Sequence, residues 1–503
     1  MSALDPPLPG PVAGTAAAAV AVAPLIDGEM AQSSSDSALE VINPSNGQPC
    51  LSIPIGSETD VDRAVAAARR AFEAGSWGQV PPSFKKKTLH QWADLIEREG
   101  SALDALDAGE MGKPVGEALF NAREAAGFVR FCAEAVDKVM GEVYASDKDS
   151  FVAEQLVPRG VVAAIVPWNF PTFNAVLKIA PALAGGNSVV IKPSELASRS
   201  AVRVAHLALE AGLPPGALNV VPGLGETVGR ALGLHGDVDM VSFTGSTAVG
   251  KLMLQYAGQS NMKAVLAECG GKSPQILFDD GVDLEAASES IARFLLVNQG
   301  QICSVGSRLL VERSIESAII EKVEAHMRQI VMGNALEPKT TFGPLASSTQ
   351  CDRVMGYIRA GESEGAQLVA GGHRALKESG GYFVEPTLFR QVAPESRLAQ
   401  EEIFGPVLSV IPFDEEGEAL RIANGTKYAL AAYVWTAQLS RAMRMAKGIR
   451  SPVIINGAAP LGEGAGHAAA WEPAGQSGLG VEGGLAGVRS YMRRHLVCFN
   501  HAS

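Results

Sequence analysis

The sequence predicts an α/β protein built on a parallel sheet with helices on both faces. Two observations carry this reading. Short, fully apolar and β-branched runs, Val161 to Val166 and Ser188 to Ile191, have the texture of strands buried on both faces. Between and after them come segments of helical period, so strand and helix alternate. A third observation bounds the answer: the 503 residues include 54 glycines and 29 prolines, too many for a helical bundle and without a collagen period.

Residues 1–37 are rich in Pro, Ala and Ser and read as a flexible tail. Thr59 is the expected cap of a helix with Val61, Val65, Ala68 and Phe72 on one face, stopped by Gly75. A second helix places Leu89, Trp92 and Ile96 together, Gly109 and Gly112 punctuate a turn, and a third helix is expected from Val115 to about Met140. After the strands at Val161 and Ser188, a helix between Leu196 and Gly212 is closed by Gly212 and Pro214. Strands follow at Leu218 to Val221, Val238 to Phe243 and Lys263 to Ala267, with a helix from Thr247 to Tyr256. The rhythm resumes with Gln275 to Phe278, a helix from Leu284 to Asn298, and Ser307 to Val311, so a second α/β domain is expected from about Gly271 to Gly478.

The net charge is −12, and the one basic run, Lys85 to Lys87, reads as a solvated helix face, which argues against nucleic-acid and anionic-membrane partners. The six cysteines form no CxxC pair and have no His-rich neighbour, so neither a disulfide framework nor a metal site is indicated. The uncharged apolar stretch Gly160 to Leu177 is interrupted by Pro167, Asn169, Pro171 and Asn174 and is not a membrane span. No Lys or Arg precedes Arg63, so the basic start of a secretory signal is missing and a cytoplasmic location is expected.

Ligands of open parallel sheets bind beyond the carboxyl ends of the strands. Polar groups and bare backbone collect at those positions: Pro167-Trp168-Asn169-Phe170-Pro171, Lys192-Pro193-Ser194-Glu195 and Phe243-Thr244-Gly245-Ser246. Ser246 opens a helix whose first N–H groups can meet a phosphate. The Pro222-Gly223-Leu224-Gly225 turn lacks GxGxxG spacing because Gly229 falls one residue late, so ordinary turns are the better account of these glycines taken alone. A cysteine is more often a small buried hydrophobe than a nucleophile. Cys303 nevertheless follows the polar Asn298-Gln299-Gly300-Gln301 segment, and Glu268 sits at a strand end before Gly270-Gly271-Lys272, an apt place for a general base.

Taken together with Glu402-Ile403-Phe404-Gly405-Pro406, these six motifs resemble the NAD(P)-dependent aldehyde dehydrogenase superfamily, in order from about residue 25 to about 455. The texture is most similar to the hydrolytic branch that includes the bacterial γ-glutamylaminobutyraldehyde type. The resemblance implies the aldehyde dehydrogenase fold: an NAD-binding, Rossmann-like domain from 38–142 and 160–270, a catalytic domain from 271–478, and a small β oligomerisation element from 143–159 and 479–503. It makes Cys303 the nucleophile, Asn169 the oxyanion donor and Glu268 the base that activates water against a thioester. Ile165, Trp168, Lys192, Glu195, Gly225, Phe243, Gly245, Ser246, Glu402 and Phe404 take the cofactor positions. A carboxylate at Glu195 favours the hydroxyls of NAD over the 2′-phosphate of NADP. Lys178 takes a supporting place near the active site, and the assembly implied is a homodimer or homotetramer.

The segment from Ala470 to Gly478 departs from the family: Trp471 stands for a phenylalanine, a glycine pair and a lysine are missing, and the loop from Asn456 to Trp471 is about four residues longer than the family's. Phe173, Leu177, Ile302 and Trp471 are expected to line an apolar tunnel for a medium-sized aliphatic, terpenoid or aromatic aldehyde. Aminoaldehyde or semialdehyde oxidation is the alternative, with coenzyme-A acylation and a non-catalytic binding role more remote. Cys269 reads as inert filler, and His467 as a solvated loop residue.

Overall fold

The structure, a computed structural model, describes residues 21–457 and 466–500. Two large sheets organise it. The first has eight strands, and its centre is five parallel strands in the spatial order Leu218–Val220, Ser188–Lys192, Val161–Ile165, Met240–Thr244 and Ala264–Glu268. Numbered along the chain these run 3-2-1-4-5, so the order reverses between Val161–Ile165 and Met240–Thr244. A crevice opens at such a reversal because the two following connections leave toward opposite faces. Val161–Ile165 and Ser188–Lys192 are buried at every residue, as continuous apolar strands of a doubly covered sheet must be.

The second sheet has seven strands in the order Gln367–Ala370, Thr387–Arg390, Val407–Phe413, Arg308–Glu312, Pro274–Leu277, Ala432–Trp435 and Val453–Ile455. Only the Gln367–Ala370 edge is antiparallel. A third, three-stranded antiparallel sheet joins Glu142–Tyr144, Ser150–Pro158 and Met492–Asn500.

Several local expectations need correction. Residues 1–20 of the expected tail lie outside the described residues, but the tail's later part is structured: Leu25–Ile26 adds an antiparallel strand between Leu218–Val220 and the edge strand Glu29–Met30, with Leu25 and Ile26 both buried. Ser57, not Thr59, caps the first helix, Glu58–Glu73, in a reciprocal capping box with Asp60. Gly109 lies inside a helix, Gly100–Met111, rather than in a turn; Gly112 ends that helix at φ +88°, where a residue without Cβ is at ease. The helix expected from Val115 begins only at Ala122, where the Asn121 side chain accepts from the Glu124 N–H, and it ends at Ala135. Finally, Gly478–Leu479 pairs with Ala267 and Glu268 of the first sheet, and the helix Gly484–Ser490 packs against Ala122–Ala135 and Pro171–Ala184. The end of the expected catalytic segment and the start of the expected oligomerisation segment thus return to the first sheet.

Candidate active site

A cavity of about 360 Å³ opens at the reversal point of the first sheet, between it and the second. Its walls bring together Asn169, Glu268, Cys303, Trp168, Gly245, Ser246, Glu402 and Phe404, together with Phe173, Leu177, Ile302 and Trp471. The remaining predicted residues do not line it. Ile165 and Phe243 are buried at the ends of their strands, and Lys192, Glu195 and Gly225 lie farther along the same carboxyl edge.

Asn169 is held from three directions. Its Oδ1 accepts from Asn174 Nδ2 at 3.1 Å, its Nδ2 donates to the Gln301 carbonyl at 2.9 Å, and its own carbonyl accepts from Asn298 Nδ2 at 2.7 Å. One amide N–H remains beyond these bonds. The segment that delivers Cys303 is turned sharply by Asn298, Gln299 and Gly300, all at positive φ. At Gly300 a Cβ would meet the Gly405 carbonyl at 2.5 Å, so a glycine is required there.

Burial pushes the Cys303 thiol up to about 12, with the facing carboxylates of Glu402 and Glu268 adding to the shift. The thiol therefore rests protonated. Glu268, at the end of its strand and 8% exposed, is raised well above the ordinary carboxylate value by burial and by the nearby Glu482 carboxylate, while the Lys178 ammonium opposes. Its Oε1 has no hydrogen-bond partner among the described residues, which leaves it available to a water or a thiol proton. Glu402 is pushed up to about 7 by burial, although the Gly271 N–H donates to its Oε1 at 3.0 Å. A Cβ at Gly270 would lie 2.2 Å from the Glu402 carboxylate, so the bare backbone permits this approach.

Sequence reasoning missed Glu482. It pairs with Lys178 at 2.5 Å in a nearly dry setting, and backbone bonds to Trp471 hold it on the cavity wall. No local pattern marks it: only the pairing of Gly478–Leu479 beside Glu268 carries it there. His467 also differs from expectation. It is partly buried on the cavity wall, edge-on to Phe128 at 5.8 Å. Phe120 and Phe128, likewise unforeseen, complete an aromatic wall with Phe173; Phe120 lies 4.9 Å and Phe128 6.4 Å from its ring. Cys269 is buried and raised to about 12, in keeping with filler. The part of the divergent loop from 458–465 lies outside the described residues.

Along the carboxyl edge, Lys192 Nζ meets Glu195 Oε2 at 3.3 Å, with the glutamate side chain one-third exposed. Gly225 opens one wide helical turn, Gly225–Gly229, and a Cβ there would enter open space. Ser246 caps the helix Thr247–Gln259, its hydroxyl accepting from the Val249 N–H. At Gly245 a Cβ would strike the Phe243 ring at 2.5 Å, so the chain passes close over that ring. A partly exposed acid beside a lysine, open backbone and a helix N-terminus on one edge form a cradle that fits a dinucleotide.

Comparison with known proteins agrees with this geometry. The model of the aldehyde dehydrogenase family matches residues 30–497. The NADP/NAD-dependent aldehyde dehydrogenase PuuC of Escherichia coli (strain K12) is 43% identical over 433 residues, 86% of this chain and 87% of the relative. Among solved structures, an indole-3-acetaldehyde dehydrogenase complexed with NAD+ superposes with a TM-score of 0.93 at 43% identity, covering 96% of this chain and 97% of that one. A γ-glutamyl-γ-aminobutyraldehyde dehydrogenase from Burkholderia cenocepacia J2315 gives a TM-score of 0.93 at 44% identity, covering 97% and 98%. With its reversal-point cavity, its match across nearly the whole chain and these relatives, the chain belongs to the aldehyde dehydrogenase family.

Proposed function

We propose that this enzyme oxidises a medium-sized apolar aldehyde to its carboxylic acid with NAD, through a covalent intermediate on Cys303. The observation that carries the reading is the convergence of a nucleophile, an amide donor and two buried carboxylates on one cavity whose outer wall is aromatic. The Cys303 sulfur attacks the aldehyde carbon to form a thiohemiacetal, and the proton it gives up goes to a buried base; Glu268 is placed for that task. The free N–H of Asn169 faces the oxyanion as charge develops, and its three fixed hydrogen bonds mean little reorganisation is needed. Lys192, Glu195, Gly225, Ser246, Trp168, Glu402 and Phe404 would hold NAD, which would supply the hydride acceptor needed for the thiohemiacetal to become a thioester. Glu268, once its first proton has passed to solvent, then takes a proton from water as that water attacks the thioester carbon and hands it to the departing sulfur, freeing the acid and the Cys303 thiol.

The partly exposed Glu195 carboxylate would repel a 2′-phosphate, which supports NAD over NADP. Phe120, Phe128, Phe173, Leu177, Ile302 and Trp471 support an apolar substrate. Relatives named for aminoaldehydes favour the alternative, a cationic aminoaldehyde. The three-stranded sheet supports assembly as a dimer or tetramer, because Val143, Phe151, Leu496 and Phe499 leave it an exposed apolar surface. A panel of kcat/KM values with NAD and NADP tests the substrate reading. Phenylacetaldehyde and hexanal are expected to exceed 3-aminopropanal, and the reverse order would overturn the apolar assignment.

A further inference from the structure

Among the described residues, the divergent segment supplies one polar side chain to the aromatic wall. His467 stands in the short helical turn Gly466–Ala468, next to Phe128 and on the same cavity as Phe173, Leu177 and Trp471. It makes no hydrogen bond or ion pair to the described residues, in contrast to Asn169, Glu402 and Glu482, whose polar atoms are engaged.

A second observation shows that the ring is seated. Gly127 lies in the middle of the helix Ala122–Ala135, where a glycine costs roughly 1 kcal/mol against alanine. A Cβ added at Gly127 would lie 2.8 Å from His467 Nε2 and 3.5 Å from Cδ2. The glycine therefore clears the space the imidazole occupies. Phe128, the next residue of the helix, meets the ring edge-on, and Phe128 in turn neighbours Phe173. Burial lowers the imidazole pKa below its ordinary value, so the ring is uncharged at neutral pH, with one nitrogen to donate and one to accept.

Resting on the apolar-aldehyde reading above, we propose that His467, seated against Gly127, is a specificity-determining residue that hydrogen-bonds an uncharged polar group, such as a hydroxyl, at the far end of an otherwise apolar aldehyde. The aromatic wall supplies contact area without direction, and a single neutral donor–acceptor ring gives it a polarity that a purely apolar tunnel lacks. A cationic amine gains less from this ring, because it must give up hydration to reach a neutral imidazole that, among the described residues, is paired with no carboxylate.

The test compares phenylacetaldehyde and 3-phenylpropanal with their para-hydroxy counterparts, with propanal as a small aldehyde that needs no distal contact. The wild-type enzyme is expected to prefer the hydroxylated member in kcat/KM by about fivefold at one of the two chain lengths, the yield of one neutral hydrogen bond. His467→Leu should bring that ratio to about one. Gly127→Ala should do the same by displacing the ring, while propanal turnover is kept and thermal stability is held or raised, since alanine suits the helix better. That combination separates recognition from damage to the fold. A ratio near one in the wild type, or a preference that survives both substitutions, overturns the role of His467. If the aryl aldehydes are poor substrates while propanal and 3-aminopropanal are good ones, the apolar reading itself has failed, and this inference fails with it.

Discussion

Asn169→Ala isolates one donor whose surroundings define the expected loss. The Asn169 amide has two N–H groups and one oxygen. The oxygen is occupied by Asn174 and one N–H by the Gln301 carbonyl, which leaves a single N–H for the developing oxyanion. Removing a donor of this kind costs about 10² to 10³ in kcat, or roughly 2.7–4 kcal/mol of transition-state stabilisation. The substitution also deletes two side-chain hydrogen bonds, at about 1 kcal/mol each. The bond from Asn298 Nδ2 to the Asn169 carbonyl persists, because it uses the backbone. The variant should therefore fold with a modestly lower Tm, bind NAD with unchanged Kd, and form NADH slowly in a stopped-flow single turnover. Asn169→Asp is sharper still: it keeps the shape, removes both donors and sets a negative charge against the oxyanion. An Asn169→Ala enzyme that kept kcat within about threefold of wild type would refute the argument, since a preorganised donor cannot be removed so cheaply.

Cys303→Ala should abolish NAD-dependent oxidation while NAD binding, followed by fluorescence quenching, persists. Glu268→Gln should slow the first release of NADH, because the Cys303 thiol loses its proton acceptor, and should slow turnover further, because the thioester has lost its base for water; turnover at the wild-type rate would contradict the assigned role. Glu195→Gln should raise kcat/KM with NADP relative to NAD, as removal of the carboxylate lifts its repulsion of the 2′-phosphate. Glu482→Gln and Lys178→Met should each destabilise the fold by about 3–5 kcal/mol, read from chemical denaturation, because each leaves a buried partner unpaired. The two should also move the acid limb of kcat in opposite senses: losing the Glu482 carboxylate lowers the Glu268 pKa and extends activity to lower pH, and losing the Lys178 ammonium raises it and retracts activity to higher pH.

The parts of this molecule that were legible in the sequence are those whose pattern is imposed by burial on both faces or by backbone geometry. Val161–Ile165 and Ser188–Lys192 could be read because a doubly covered strand has no polar alternation to confuse it. The residues after each strand could be read because parallel sheets put chemistry there, and the 3-2-1-4-5 order sets Trp168 and Asn169 opposite Gly245 and Ser246. Gly100–Met111 was illegible for the opposite reason. Its buried face includes Asp107 and Glu110, raised to about 6 and about 7 by burial, so acids stand where periodicity expects apolar residues. The Asn121 cap, by contrast, was available: an Asn three residues before Glu124 is a helix-start signal that the longer apolar pattern from Val115 obscured. Glu482 and His467 could not have been found locally, because each reaches the cavity through strand pairing or loop packing far from the motifs it joins.

In the mechanism we propose, Cys303 moves a proton rather than creating a charge, and the charges around it fit that step. Burial raises both the thiol and the Glu268 carboxyl, and each shift alone would argue against reactivity. Passing the proton from sulfur to carboxylate leaves one negative charge in the same dry cavity before and after, so the burial cost largely cancels and the difference between the two affinities decides the equilibrium. From ordinary values of 9.0 and 4.5 a thiol gives its proton to a carboxylate only at a steep cost. Raising Glu268 narrows that gap, and Glu482 contributes to the rise while Lys178 restrains it. The restraint has its own use, because a Glu268 raised without limit would stay protonated at neutral pH and could not accept a proton from the attacking water. The Lys178–Glu482 pair thus sets Glu268 between two demands, basic enough to take a thiol proton and ionised often enough to activate water, and the opposed pH shifts of its two variants follow from that position.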